Sequence, residues 1–94
     1  MDDTKHLAPP PLTEEPDAVE VLRVWAAPGR PQQLTLRTTW NDAGAWGLLL
    51  VDVARHATRA YQAEGADPVE ALARIRSLWE AEWRQPTDSP EKLS

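Results

Sequence analysis

Asp52, Arg55, His56 and Arg59 are the residues of this chain best spaced for chemistry. On a helix, residues three and four apart are neighbours, so Asp52 reaches Arg55 and His56. A carboxylate that orients an imidazole is the arrangement of a general base. Thr58 is close in sequence, but no serine or threonine stands out as a nucleophile. With Arg37 or Arg23 added from elsewhere, the same residues become an anion site. A small anionic-ligand or catalytic domain using Arg23, Arg37, Asp52 and His56 is therefore one reading, with Arg37, Asp52, Arg55 and His56 as its anion-binding set. The competing reading is a solvated polar stripe on an amphipathic helix, and the spacing favours it. His6 is the other histidine, and two isolated histidines make no metal site. The acids show no calcium-loop pattern. Gly44-Ala-Trp-Gly47 lacks the lysine and the preceding strand of a phosphate loop. Neither a metal nor a cofactor is expected.

These side chains need a scaffold, and composition bounds it. The 94 residues suffice for one domain. There is no cysteine, which excludes disulfides, thiol catalysis and cysteine-held metals. The longest apolar run, Leu48 to Val51, falls far short of the roughly 20 residues of a spanning helix. No signal peptide is visible, so a bacterial-type cytoplasmic protein is expected. Net charge is −5 and gathers toward the ends, where both lysines also lie. An acidic chain with a nearly neutral, arginine-only body is a poor partner for nucleic acid. In the second helix, Glu70, Glu80 and Glu82 would repel the phosphates that Arg74, Arg76 and Arg84 could meet in a helix–turn–helix reader. Neither nucleic acid nor membrane is an expected partner.

Pro9-Pro10-Pro11, Pro16 and two acidic pairs make residues 1–17 a disordered or extended proline-rich arm without a regular helix or ladder. Residues 86–94 read as a disordered tail. The domain is residues 18–85. Val19 to Ala26 and Gln33 to Trp40 are rich in β-branched and aromatic residues and read as strands. Between them, Pro28-Gly29 suits the centre of a type II turn. An even index sum, with Leu22 opposite Leu36 and Val24 opposite Leu34, puts the leucines on one face. Because a one-residue slip inverts every side chain, burial should select that register. It implies an odd loop, of three or five residues.

Asn41 or Asp42 can cap the next helix. Trp46, Leu49, Leu50, Val53, Ala57, Ala60 and Tyr61 give that helix, about 43–64, an apolar face. Leu48 and Val51 widen it, so its first turns should be buried on more than one side. Gly44 and Gly47 suggest close backbone packing there, and Gly65 is a natural stop. Asp67-Pro68-Val69-Glu70 is a capping box opening a second helix. Val69, Leu72, Ile75, Trp79 and Trp83 form its inner face, and Pro86 ends it.

The expected fold is α+β: an antiparallel β-hairpin followed by two α-helices packed on one face (ββαα). The hairpin's other face carries Val19, Val21, Arg23 and Trp25, an apolar set for a solvent surface. A two-stranded ribbon is marginal in water and leaves open edges. A homodimer through the hairpin, with Val19, Val21, Arg23 and Trp25 at the interface, answers both problems. The first reading is thus a non-enzymatic interaction module that homodimerises and can dock another protein.

The segments Val21-Leu-Arg-Val-Trp25, Ala27-Pro-Gly29, Leu36-Arg-Thr-Thr-Trp40 and Ala45-Trp-Gly-Leu-Leu-Leu-Val-Asp-Val-Ala-Arg-His56 together resemble a family of short bacterial proteins known only as a domain of unknown function. The likeness runs from about Val19 to Trp83. It implies one small bacterial cytoplasmic domain and brings no activity, cofactor or site residue with it.

Overall fold

A computed structural model describes residues 5–86 and the backbone of 91–92. The elements run β1 (Leu22–Trp25), β2 (Gln33–Leu36), α1 (Gly44–Ala63), α2 (Pro68–Arg84) and β3 (Glu91–Lys92). The hairpin and the two helices follow in the expected ββαα order.

β1 and β2 pair antiparallel with Leu22 opposite Leu36 and Val24 opposite Leu34. This is the register that gathers the leucines on one face. The Arg37 amide extends the ladder by donating to the Val21 carbonyl at 2.9 Å. Each strand is four residues long, shorter than the sequence suggested, and residues 26–32 form a longer loop than the three or five expected. Within it Arg30 N–H donates to the Ala27 carbonyl at 3.3 Å and Gly29 has φ +74°. That is the positive φ a type II turn demands at its third residue.

β2 stops at Leu36 because the chain turns sharply. Thr39 has φ +53°, unfavourable for a β-branched residue, and the Trp40 amide bonds back to the Thr38 carbonyl. The indole of Trp40 then packs edge-on against Trp46 in the first turn of α1, with centroids 5.5 Å apart.

The helices are locally specified. Asp42 Oδ1 accepts from Gly44 N–H at 2.8 Å. At the far end of α1 the Ala66 amide donates to the Tyr61 carbonyl and the Gly65 amide to the Gln62 carbonyl. With Gly65 at φ +104°, this is a Schellman stop. Asp67 Oδ1 then caps α2, accepting from Val69 N–H at 2.8 Å and Glu70 N–H at 3.2 Å. The return bond from Glu70 that would complete a capping box is not among those the described residues make.

The layers differ from expectation. The α1 backbone lies close to α2 and that of β1 close to β2, but no Cα of either helix lies within 8 Å of one in the hairpin strands. The helices pack closely on each other, while Leu22, Leu34 and Leu36 of the hairpin are part-buried. No described residue is buried. The tryptophans expected to be core are consequently open: Trp79 is 45% and Trp83 73% exposed, and they pack mainly edge to face on each other at 5.8 Å. Only Trp46 is part-buried. The run expected to sink the start of α1 faces outward instead, with Leu48 72% exposed.

At the ends, a 3₁₀ turn, Pro11–Glu14, punctuates an otherwise exposed arm. Prolines at its start are compatible with it because they need no amide partner there. Residues 91–92, within the expected disordered tail, form β3 parallel to β2. Residues 1–4, 87–90 and 93–94, where the rest of the terminal expectations fall, lie outside the described residues.

Candidate functional site

The residues proposed from sequence fall on separate surfaces. Asp52, Arg55, His56 and Arg59 are all exposed on α1. His56 Nδ1 donates to the Asp52 backbone carbonyl at 2.8 Å. The ring is thus oriented by the main chain one turn back and not by the Asp52 carboxylate, the contact a carboxylate-held base requires. Arg37 lines a shallow hollow on the hairpin with Glu20 and Arg23. Arg55 lines a different hollow, between the helices. Asp52 and His56 line neither. Arg23 is matched by Glu20, Nη2 to Oε1, at 2.7 Å, which removes its appeal for an outside anion.

The hairpin's second face is a better-formed surface. Val19 lies just before β1 and is 51% exposed, and Val21 is part-buried. Arg23 and Trp25 follow on the same face. Trp25 is 42% exposed and meets His6 from the arm edge-on, with centroids 5.0 Å apart. The arm therefore covers part of the face that was expected to be bare. In the order β1–β2–β3, β1 is the open edge. The Arg37-to-Val21 bond fixes the alternation of an antiparallel ladder. Leu22 and Val24 accordingly turn their N–H and C=O groups outward along that edge.

The second surface was not singled out from sequence. It is a groove of about 450 Å³ between α1 and α2. Gly47, Leu50, Val51 and Ala54 supply one wall, Leu72, Ile75 and Trp79 the other, and Arg55, Arg76 and Glu80 stand beside them. The signal was present in the unusual width of the apolar arc around Leu48–Val51, which reads equally as buried core or as a face waiting for cover. Gly47 decides between them. A Cβ built there would meet nothing within 4 Å, so the close packing expected at this glycine is not made within the chain. Among the described residues no group of histidine, aspartate or glutamate side chains could hold a metal, and no helix is long and apolar enough to cross a membrane.

A small α+β domain with a hairpin, a helix pair and two partly open apolar surfaces is the class these observations define. The chain belongs to the family of the domain of unknown function DUF5076, whose model matches residues 6–87. It is also similar to a solved chain from the photosynthetic bacterium Rhodopseudomonas palustris, provisionally described as a pyruvate dehydrogenase. The two are 38% identical, the match covers 96% of this chain and 93% of that one, and the TM-score is 0.74. A comparison with curated proteins finds no match.

Proposed function

We propose that this protein is a bacterial cytoplasmic assembly module whose folded unit is a homodimer joined through the β-hairpin. The observation that carries this reading is the absence of any buried side chain among the described residues. A domain lives on the apolar area it removes from water, and a chain that removes so little needs a second surface. The magnitude agrees. The accessible surface is 8546 Å², whereas a compact monomer of this mass exposes roughly 5400 Å². The extended arm contributes part of the excess. Even half of it exceeds the roughly 800 Å² per partner of a standard interface.

The hairpin supports the mode of association. β1 offers two residues' worth of outward backbone groups, and its neighbours Val19, Val21, Arg23 and Trp25 form the adjoining face. Pairing β1 with its symmetry mate satisfies both edges at once. The description of the solved relative lends no dehydrogenase reading to this chain. Such chemistry needs reacting groups held in an enclosed, water-poor pocket, and both hollows here are open.

Sedimentation equilibrium tests the proposal. The expected result is a mass near twice 10.5 kDa, with a thermal midpoint that rises with protein concentration. A cooperatively folded monomer across the same concentrations overturns it.

A further inference from the structure

We infer that the groove between α1 and α2 is filled by the leucine face of the hairpin from a second copy, and that the exchange is reciprocal. The inference rests on the homodimer reading and adds which surface meets which.

Four observations lead to it. First, the groove is apolar and nothing in its own chain enters it: Val51 is 50% and Trp79 45% exposed. Second, its α1 wall includes Gly47, where a helix gives up about 1 kcal/mol relative to alanine, yet beyond the adjoining helix backbone nothing lies within 4 Å of a Cβ built there. A glycine of that kind makes sense when another backbone comes close, and a strand is such a backbone. Third, the chain itself carries a matching surface. Leu22, Val24, Leu34 and Leu36 share one face through the observed register; the three leucines are part-buried and Val24 is 48% exposed. Fourth, the chain holds that surface away from its own groove. The link from β2 to α1 turns back at Thr39, with φ +53°, and is pinned by Trp40 on Trp46. A short, strained link between two complementary surfaces is the setting in which elements exchange between copies.

A second copy is also the economical occupant. Docking helix pair on helix pair would leave the open β1 edge of the sheet without a partner. Reciprocal insertion covers the ribbon and the groove in both copies with one symmetric contact.

The cysteine-free sequence allows a direct test. Val24→Cys and Leu50→Cys are introduced into one chain, which is treated with a short bismaleimide, and the products are separated by mass after denaturation. The same is done with the two single variants mixed, one carrying a size tag. Reciprocal exchange predicts a covalent dimer from the double variant and a tagged–untagged pair from the mixture. An intramolecular link in the double variant overturns the inference. So does the absence of a link between chains in a protein that sedimentation shows to be dimeric, in which case the homodimer reading survives with another interface. A monomeric wild-type protein removes the homodimer reading itself. As a graded control, Gly47→Leu fills the groove at a position where the single chain has room. Overpacking a filled groove predicts dimer affinity weakened by about tenfold or more. Unchanged dimer affinity contradicts a filled groove.

Discussion

α2 is closed from within its own few residues: Asp67 accepts at the start, proline presets the first turn, and Gln85 N–H returns to the Ala81 carbonyl at the finish. The hairpin has no comparable self-sufficiency. Its turn is local, but its register is justified only by an apolar face, whose Leu22, Leu34 and Leu36 are part-buried while Val24 stays half exposed. The contrast shows what each region depends on. Helix boundaries are written in caps and stops, each worth about 1 kcal/mol and each legible on its own. A two-stranded ribbon depends on whatever covers it.

The largest expected effect follows from that dependence. Leu34→Asp places a carboxylate in the middle of the leucine face, opposite Val24. If the face is solvent-exposed in the working protein, the substitution costs a few tenths of a kcal/mol. If the face is buried by assembly, desolvating the charge costs about 3 kcal/mol or more. The expected outcome is the second: loss of the dimer in sedimentation, with a large fall in thermal midpoint. A dimer as tight as wild type would show that hairpin and helix pair are equally self-contained, and the contrast would be gone.

Much of this fold could be read directly from residues. The pairing of Leu22 with Leu36 follows from the pleat, because only an even register keeps four apolar side chains together. Gly65, Asp67 and Pro68 announced the break between the helices, since each has a conformational reason to stand there. The packing of helices on the hairpin did not follow. Amphipathic periodicity says that a face will be covered and is silent about which chain covers it. Trp83 and Leu48 illustrate the limit: both sit at positions that read as core, and both are open in the single chain. Strand length was overestimated for a separate reason. Thr38-Thr39-Trp40 has strand propensity, and a non-glycine residue at positive φ is a tertiary choice that propensity does not reveal. In the candidate polar set, spacing is silent about orientation. Spacing placed Asp52 and His56 together, but the imidazole took the nearer main-chain carbonyl.

An intermediate effect belongs to the helix side of the contrast. Gly65→Ala puts a Cβ at φ +104°, a backbone conformation that costs a non-glycine residue about 1–2 kcal/mol. There is open space around it, so no clash adds to the conformational term. The expected result is a modest fall in unfolding free energy by denaturant titration, with the stoichiometry unchanged. A change in stoichiometry would mean that the α1–α2 angle, which this glycine sets, is itself part of the interface.

The smallest effect sharpens the contrast on the hairpin. Arg23 and Glu20 meet at 2.7 Å, but both side chains remain more than half exposed. Pairs of that kind contribute about 0–1 kcal/mol and are screened by salt. In an isolated chain, Arg23→Ala should therefore shift stability by no more than about 0.5 kcal/mol. Edge-to-edge pairing of β1 predicts a different pattern, because Arg23 then lies next to the symmetry axis with Trp25 beside it. Dimer affinity would fall while the intrinsic stability of the helix pair stayed put. The two are separated by measuring the unfolding midpoint at several protein concentrations, with and without added salt. A loss that is independent of concentration assigns Arg23 to its own strand. A loss that shrinks as concentration rises assigns it to the contact between copies, since mass action offsets a weakened association and leaves a local ion pair unaffected.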